Sequence, residues 1–295
     1  MAGVLHVVAT PIGNLGDLSE RARDTLASAD LVVAEDTRRT GKLLASLGIE
    51  ARMRSMFEGN ERRRTAEVLA ALRDGQTVAL VSDGGTPLVS DPGYPLVRAC
   101  IDEGIEVRVV PGPSAAIAAL VVSGFPTDRF VFEGFLPRTA GDRRARLAAL
   151  TDEPRTVVLY ESPRRLATLL GELAAIDADR RVAVCRELTK LHETITRDTL
   201  ASLAEAAADG AIPARGEVVI VVGWAAASGD RGAATAGAVE VARAEVERLV
   251  ASGIARGEAA KRVAREHGIP RRQLYGNPAT ERREGSATQT VARRP

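Results

Sequence analysis

Up to about residue 224, short apolar runs alternate with stretches in which apolar positions recur every three or four residues. The runs 4–9, 31–34, 77–82 and 105–110 are rich in Val and apolar almost throughout, which predicts strands buried on both faces. Between them, 19–29, 37–47, 61–73 and 94–103 carry the helical period. Gly48, Gly75 and Gly104 follow three of these stretches at positions suited to C-terminal caps. Such alternation predicts a mainly parallel sheet with helices packed on it. A second set follows Pro111-Gly112-Pro113. It comprises a helix over 114–123 with Ser114 as N-cap, strands over 130–134, 156–160, 181–186 and 217–222, and helices over 143–150 and 163–173. Residues 192–198 alternate Thr and Ile with charged residues, the pattern of an antiparallel strand with one face in water.

The fold class expected is therefore α/β, with two α/β domains over 1–112 and 113–224, which fit the length better than one very wide sheet. Residues 225–238 are small and unpatterned and read as a linker. A small helical module of helix-turn-helix type is expected over 239–275. Its helices are 240–251 and 257–267, its turn is Gly268-Ile269-Pro270, and a short element spans 271–275. Ala260, Val263, Ala264, Ile269 and Leu274 form its inner face. Residues 276–295 have low hydrophobicity and are expected to be disordered.

Composition narrows the classes. Of 295 residues, 45% are hydrophobic and 27% charged, which disfavours both a disordered chain and a membrane bundle. Apolar runs such as 115–122 are too short to span a bilayer. No basic segment precedes 4–9, and Thr10-Pro11 ends that run, so no signal peptide is expected. Two cysteines and three scattered histidines supply neither a disulfide scaffold nor metal-ligand spacing. A cytoplasmic, metal-free globular protein is the expectation. The net charge of +1 hides an asymmetry: residues 225–295 hold 13 basic and 8 acidic residues, a net of +5, against −4 for the rest. A basic tail on an acidic body suits a polyanionic partner, or is simply a solvated Arg-rich segment. Lysines are rare, occurring only at 42, 190 and 261.

Candidate chemistry sits in the loops after the strands, where open α/β sheets bind ligands. Residues 10–17, Thr-Pro-Ile-Gly-Asn-Leu-Gly-Asp, either turn the chain or let backbone approach a ligand at Gly13 and Gly16. They are not a dinucleotide fingerprint, and no P-loop occurs anywhere in the chain. The run 82–93, Ser-Asp-Gly-Gly-Thr-Pro-Leu-Val-Ser-Asp-Pro-Gly, is long for a mere connection and suits a polar small molecule. Pro111-Gly112-Pro113-Ser114-Ala115 opens a helix whose N-terminus could face an anion or merely be capped. Glu133 to Arg138, Tyr160 to Pro163 and Arg186 to Lys190 put charged groups at strand ends, together suggesting one rim.

In order from residue 8 to 222 stand VATPIGNLGD, AEDTRRT, SDGGTPLVSDPGYPLV, PGPSAAIAAL, TDRFVFEGFLP, YESPRR, RELTKLHE and GEVVIVV. This set resembles the ribosomal small subunit methyltransferase I family, whose fold is similar to that of the tetrapyrrole methylases. The segment 247–275 also resembles the small module that ends many members. The resemblance implies S-adenosylmethionine-dependent 2′-O-methylation of the ribose of cytidine 1402 in 16S ribosomal RNA, on the small subunit. It implies a cofactor cleft between the two domains, a homodimer, and no metal. Cofactor positions carried over are Pro11, Gly13, Gly84, Gly85, Thr86, Pro87, Ser114 and Ala115, with Leu136, Tyr160 and Gly216 added. Where the family usually has Ala, this chain has Gly84, which suggests a more mobile loop with binding retained.

A ribose hydroxyl is a weak acid, so attack needs positioning and removal of a proton. Asp83, Glu133 and Glu161 are the candidate acceptors or orienting groups, and Lys190 could lower the hydroxyl's pKa or hold a phosphate. Alternatively, these charges stabilise loops. RNA contacts are expected from Arg38, Arg39, Arg138, Arg143, Arg144, Arg164 and Arg165, plus the tail. With aromatics at 3%, shape and phosphate contacts suit the chain better than stacking. Two other readings remain open: a small-molecule methylase of corrinoid type, and a non-catalytic RNA-binding assembly factor on the same fold.

Overall fold

The computed structural model describes residues 2–151, 153–223, 236–267 and Leu274. Internal contacts divide the chain after Ala225. Within residues 1–225 the first five strands are β1 (Val4–Val8), β2 (Leu31–Ala34), β3 (Met53–Ser55), β4 (Val78–Val81) and β5 (Glu106–Val110). They form one parallel sheet in the order β3-β2-β4-β1-β5. Helices α1 (Glu20–Ser28), α2 (Thr37–Ser46), α3 (Glu61–Arg73) and α4 (Tyr94–Asp102) connect them.

Alternate residues of each strand enter opposite cores, as the pleat requires. Leu31 and Val33 pack with Val68, Leu72 and Leu96 of α3 and α4. Val32 and Ala34 pack with Ala22, Leu26 and Leu44 of α1 and α2. Both faces of β2 and β4 are buried, which is why their sequences read as unbroken apolar runs. Gly48, Gly75 and Gly104 adopt φ of +69°, +87° and +68°, the left-handed conformation that ends a helix.

The second half begins with α5 (Ala115–Ser123). Ser114 occupies the N-cap position, but its side chain makes no capping bond. Then follow β6 (Phe130–Phe135), α6 (Ala140–Thr151), β7 (Thr156–Glu161), α7 (Leu166–Ala174), β8 (Arg181–Arg186), β9 (Thr194–Thr199), α8 (Leu200–Ala208) and β10 (Val218–Val222). The sheet order is β6-β7-β10-β8-β9; only β6 and β7 are parallel. One face packs on α6, α7 and α8 through Leu147, Leu169 and Leu203; the other packs on α5 through Ala116, Ala119 and Leu120. The water-facing antiparallel strand expected near 192–198 is β9, an edge strand paired only with β8.

Residues 226–295 group separately. There α9 (Ala236–Ala251) and α10 (Arg256–His267) close on Ala242, Val246, Ala259, Ala260 and Val263, with Leu274 beside them. Arg256 pairs with Glu247 at 2.6 Å. Because α9 begins at Ala236, helix reaches back into the last residues of the expected linker. The rest of that linker, the turn at 268–270 with Ile269, the short element apart from Leu274, and the tail 276–295 lie outside the described residues. Among the described residues no helix is long and apolar enough to cross a membrane.

Candidate functional site: a cleft at the carboxyl ends of the strands

In the parallel sheet the loops after β1, β2, β4 and β5 emerge at one edge. Two are joined there: Thr10 and Gly85 exchange backbone hydrogen bonds of 2.9 Å in both directions. Gly85 can do this because it adopts φ +91°. The loop after β4 is further shaped by left-handed backbone at Leu88 (+73°) and Ser90 (+67°), conformations that cost side-chain-bearing residues energy. Those turns fold the loop back so that both Asp83 and Asp91 line the same cleft. Thr86 donates to the Pro113 carbonyl at 3.1 Å, tying this loop to the start of α5.

The cleft holds about 460 Å³. One wall consists of Pro11, Ile12, Glu35, Arg39, the run from Asp83 to Thr86, Asp91, Ser114 and Ala115. The opposite wall comes from the second sheet: Phe135 ends β6, Tyr160 and Glu161 end β7, and Gly216 to Val219 open the adjacent antiparallel β10. Tyr160 stacks edge-on against Phe132 and Phe135, with ring centroids 5.1 and 5.5 Å away. Burial raises the Tyr160 phenol's pKa, while an Ala116 backbone N–H directed at it works the other way.

Three carboxylates dominate the electrostatics. Asp83 accepts from the Asp36 N–H at 3.0 Å and faces the Arg39 guanidinium at 3.5 Å. Glu35 is held above its ordinary pKa, first by burial and then by repulsion from Asp83. Asp91 is pushed up to about 6, again first by burial and then by Glu35.

The cleft collects most of the cofactor positions expected from sequence: Pro11, Gly84, Gly85, Thr86, Ser114, Ala115, Tyr160 and Gly216. Gly13 lines an adjoining pocket instead. Pro87 is buried and lines neither. Leu136 packs in the core with Leu147 and Leu150; its neighbour Phe135 faces the cleft in its place. A Cβ on Gly84 would stand 3.1 Å from the Pro11 carbonyl, so this crossing of two loops is already close with glycine.

Of the four groups expected to act on the hydroxyl, Asp83 and Glu161 line the cleft. Glu161 is 4% exposed. It is flanked by Arg143 at 3.5 Å and Arg165 at 3.4 Å, and accepts from the Ser162 N–H. Glu133 lies outside the cleft, paired with Arg146 at 2.5 and 2.8 Å. Lys190 is held by Glu187 at 2.9 Å and Glu217 at 3.1 Å. Burial works to lower the Lys190 pKa, but these two carboxylates carry it above the ordinary value, so the amine stays a cation committed to them. The arginines divide as well. Arg143 is buried and paired with Glu172 at 2.7 Å, so its expected RNA contact is replaced by an internal ion pair. Arg38 is exposed but bound bidentately by Asp36, whose carboxyl it holds well below the usual range. Arg39, Arg138, Arg144 and Arg164 are exposed, and Arg165 is half-buried.

Glu35 and Glu217 also line the cleft without having been singled out from sequence, and Asp91 and Phe135 do so from within the expected ligand loop 82–93 and rim segment 133–138, though not named individually. Glu35 had a readable signal, an acid directly after a fully apolar strand. The return of Asp91 to the cleft depends on the left-handed turns of its loop.

The tetrapyrrole (corrin/porphyrin) methylase family model matches residues 4–204. A ribosomal RNA small subunit methyltransferase I from Xylella fastidiosa is 46% identical over 276 residues, 93% of this chain and 98% of that protein. One from Mycobacterium tuberculosis is 46% identical over 287 residues, 96% of this chain and 97% of that protein. The chain belongs to the ribosomal RNA small subunit methyltransferase I family. Its fold is shared with uroporphyrin-III C-methyltransferase from Thermus thermophilus, solved in complex with S-adenyl homocysteine. That structure has a TM-score of 0.53 and 22% identity, covering 75% of this chain and 97% of that one.

Proposed function

We propose that the protein transfers a methyl group from S-adenosylmethionine to the ribose 2′-hydroxyl of cytidine 1402 in 16S ribosomal RNA, on the small subunit, as a cytoplasmic homodimer. The observation that carries this reading is the cleft itself. It combines backbone-rich loops, an aromatic and aliphatic wall, and five carboxylates, three of them (Glu35, Asp83 and Asp91) on the wall that carries the Arg39 guanidinium. S-adenosylmethionine supplies an electrophilic methyl carbon on a sulfonium; its bond to sulfur breaks, with the electron pair left there, as the bond to the ribose oxygen forms.

The residues present suit such a donor. Backbone groups at Gly84 and Ala115 offer hydrogen bonds to adenine and the amino-acid moiety, while Gly85, bonded to Thr10, fixes the loop that presents them. Ile12, Phe135 and Val219 cover apolar surface, and Glu35, Asp83 and Asp91 attract a cationic ligand. Asp83 is assigned as the proton acceptor on geometry: Glu161 is enclosed by Arg143, Arg165 and the Ser162 N–H, whereas Asp83 faces one guanidinium, at 3.5 Å. Residues 1–112 and 113–224 are read as the two halves that form the cleft, and the module at 239–275 as an added RNA contact.

Incubation with labelled S-adenosylmethionine and unmethylated small subunits, followed by mapping of the label, tests the reading. Label on a base, on another ribose or on no RNA would refute it. Under single-turnover conditions Asp83→Asn should lose at least about a hundredfold in rate, the lower end of general-base contributions. Glu133→Gln should stay near wild type.

A further inference from the structure

A second pocket of about 310 Å³ adjoins the cleft, between α2 and the loop after β1. The two cavities share Pro11, Arg39 and Asp83 as a common wall. We propose that this second pocket receives the ribonucleotide whose hydroxyl is methylated, with its phosphate at Arg39 and Lys42 and its sugar turned toward Asp83. The inference rests on the methyltransferase reading above and specifies where its acceptor binds.

Adjacency comes first. A transfer between two bound reactants needs their reacting atoms about 3–3.5 Å apart and aligned, so the acceptor site must abut the donor site. Among the cavities described, this pocket shares a wall with the cleft, and the shared wall carries the oriented Asp83 carboxylate. A further pocket, lined by residues 58–63 and Pro95, shares no residue with the cleft.

Chemistry comes second. Lys42 is exposed and makes no ion pair among the described residues, in a chain where nearly every basic position is arginine and many are paired. Arg39 reaches Asp83 only at 3.5 Å. Two cations at the mouth of one pocket suit a phosphodiester. Inside, Ser82 is 3% exposed, with its hydroxyl directed at the Asp91 carboxyl. Leu15, 57% exposed, and Leu43 supply apolar cover for a sugar or base.

Size is the third argument. The volume is at the lower end for small-ligand sites, which suits one nucleotide unit rather than a stacked run. No aromatic ring lines the pocket, so base stacking contributes little there. Selection of the nucleotide then falls to the shape of the assembled particle.

The test uses the full chain with Ser46→Trp and Lys42→Met, S-adenosylmethionine and unmethylated small subunits. Ser46 is exposed on α2 and lines the smaller pocket alone, so an indole there fills it without entering the core. Donor affinity by calorimetry and the melting temperature should stay at wild-type values in both variants. In Ser46→Trp the KM for subunits should rise about tenfold or more. In Lys42→Met the slope of log KM against log salt should shrink by about 0.7–0.9, one phosphate contact. Wild-type KM and kcat in a folded Ser46→Trp protein would overturn the assignment. Loss of donor binding in that variant would also overturn it, since the pocket would then belong to the donor. If wild-type protein binds donor but labels no ribose, the parent reading falls too, and that failure shows in the unsubstituted protein.

Discussion

The raised pKa of Asp91 makes donor affinity depend on pH with a defined sign. In the free protein its carboxyl titrates at about 6 rather than 3.8, mainly because it is buried and then because Glu35 faces it. A cationic donor in the cleft binds the ionised form better, so binding below pH 6 must release a proton. About one Asp91 in eleven is ionised at pH 5 and about ten in eleven at pH 7, so the Kd for S-adenosylmethionine should tighten roughly tenfold between them. Calorimetry in two buffers of different ionisation enthalpy reads both the affinity and the released proton. Asp91→Asn should weaken binding at pH 7 by about tenfold or more and flatten the profile. The same shift acts on folding in the opposite sense. A carboxyl whose folded pKa is raised stabilises the fold below pH 4, and that contribution is lost as pH rises through 6. Its upper bound is about 3 kcal/mol, of which solvent screening of a partly exposed group leaves on the order of 1. Equal affinity at pH 5 and pH 7 would refute the reasoning. So would an undiminished slope in Asp91→Asn, which would move the titration to Glu35.

Gly216→Ala forces a side chain onto φ +85° and places its Cβ 2.6 Å from the Glu187 carboxyl. Urea unfolding should show a loss of about 1–3 kcal/mol, with weaker donor binding. Arg143→Met removes one of the two guanidiniums facing buried Glu161 and the partner of Glu172, and should cost about 1–3 kcal/mol in the same assay. By contrast, Arg144→Ala should leave stability unchanged and lower the salt slope of binding to subunits; equal effects of the two would contradict their different burial. Deleting 239–295 should weaken subunit binding and flatten its salt dependence while sparing donor affinity. Unchanged binding would contradict a role for that module.

Legibility followed burial. Leu31–Ala34, Arg181–Arg186 and Glu61–Arg73 form where the hydrophobic pattern places them, because continuous burial or a full helical stripe leaves few alternatives. Met53–Ser55 escaped notice: three residues on a sheet edge, none fully buried, leave no pattern. Helix α8 escaped for another reason. Its sequence is mostly Ala, which blurs the contrast between faces, although the Thr199 side chain capping Ser202 N–H was a usable signal. In the site, glycine-rich loops announce themselves by composition. What a loop returns to the cleft does not: Asp91, and the pairing of Lys190 with two carboxylates, depend on backbone turns at Leu88, Ser90, Glu187 and Thr189 that bulky or polar residues seldom adopt.

The carboxylate cluster also limits what can accelerate the reaction. Glu35, Asp83 and Asp91 favour a positive charge in the cleft, and methyl transfer removes that charge as the sulfonium becomes a neutral thioether. Attraction of this kind is strongest before the transition state, so it tightens donor binding without raising the rate. Rate enhancement must come instead from holding the acceptor oxygen in line, and from a base near the shared wall. Asp83 sits at that wall and is held on two sides, by the Asp36 N–H and by Arg39. The Arg39 contact, at 3.5 Å, can yield to a phosphate. An arriving nucleotide that draws Arg39 away would open the Asp83 carboxylate to the incoming hydroxyl.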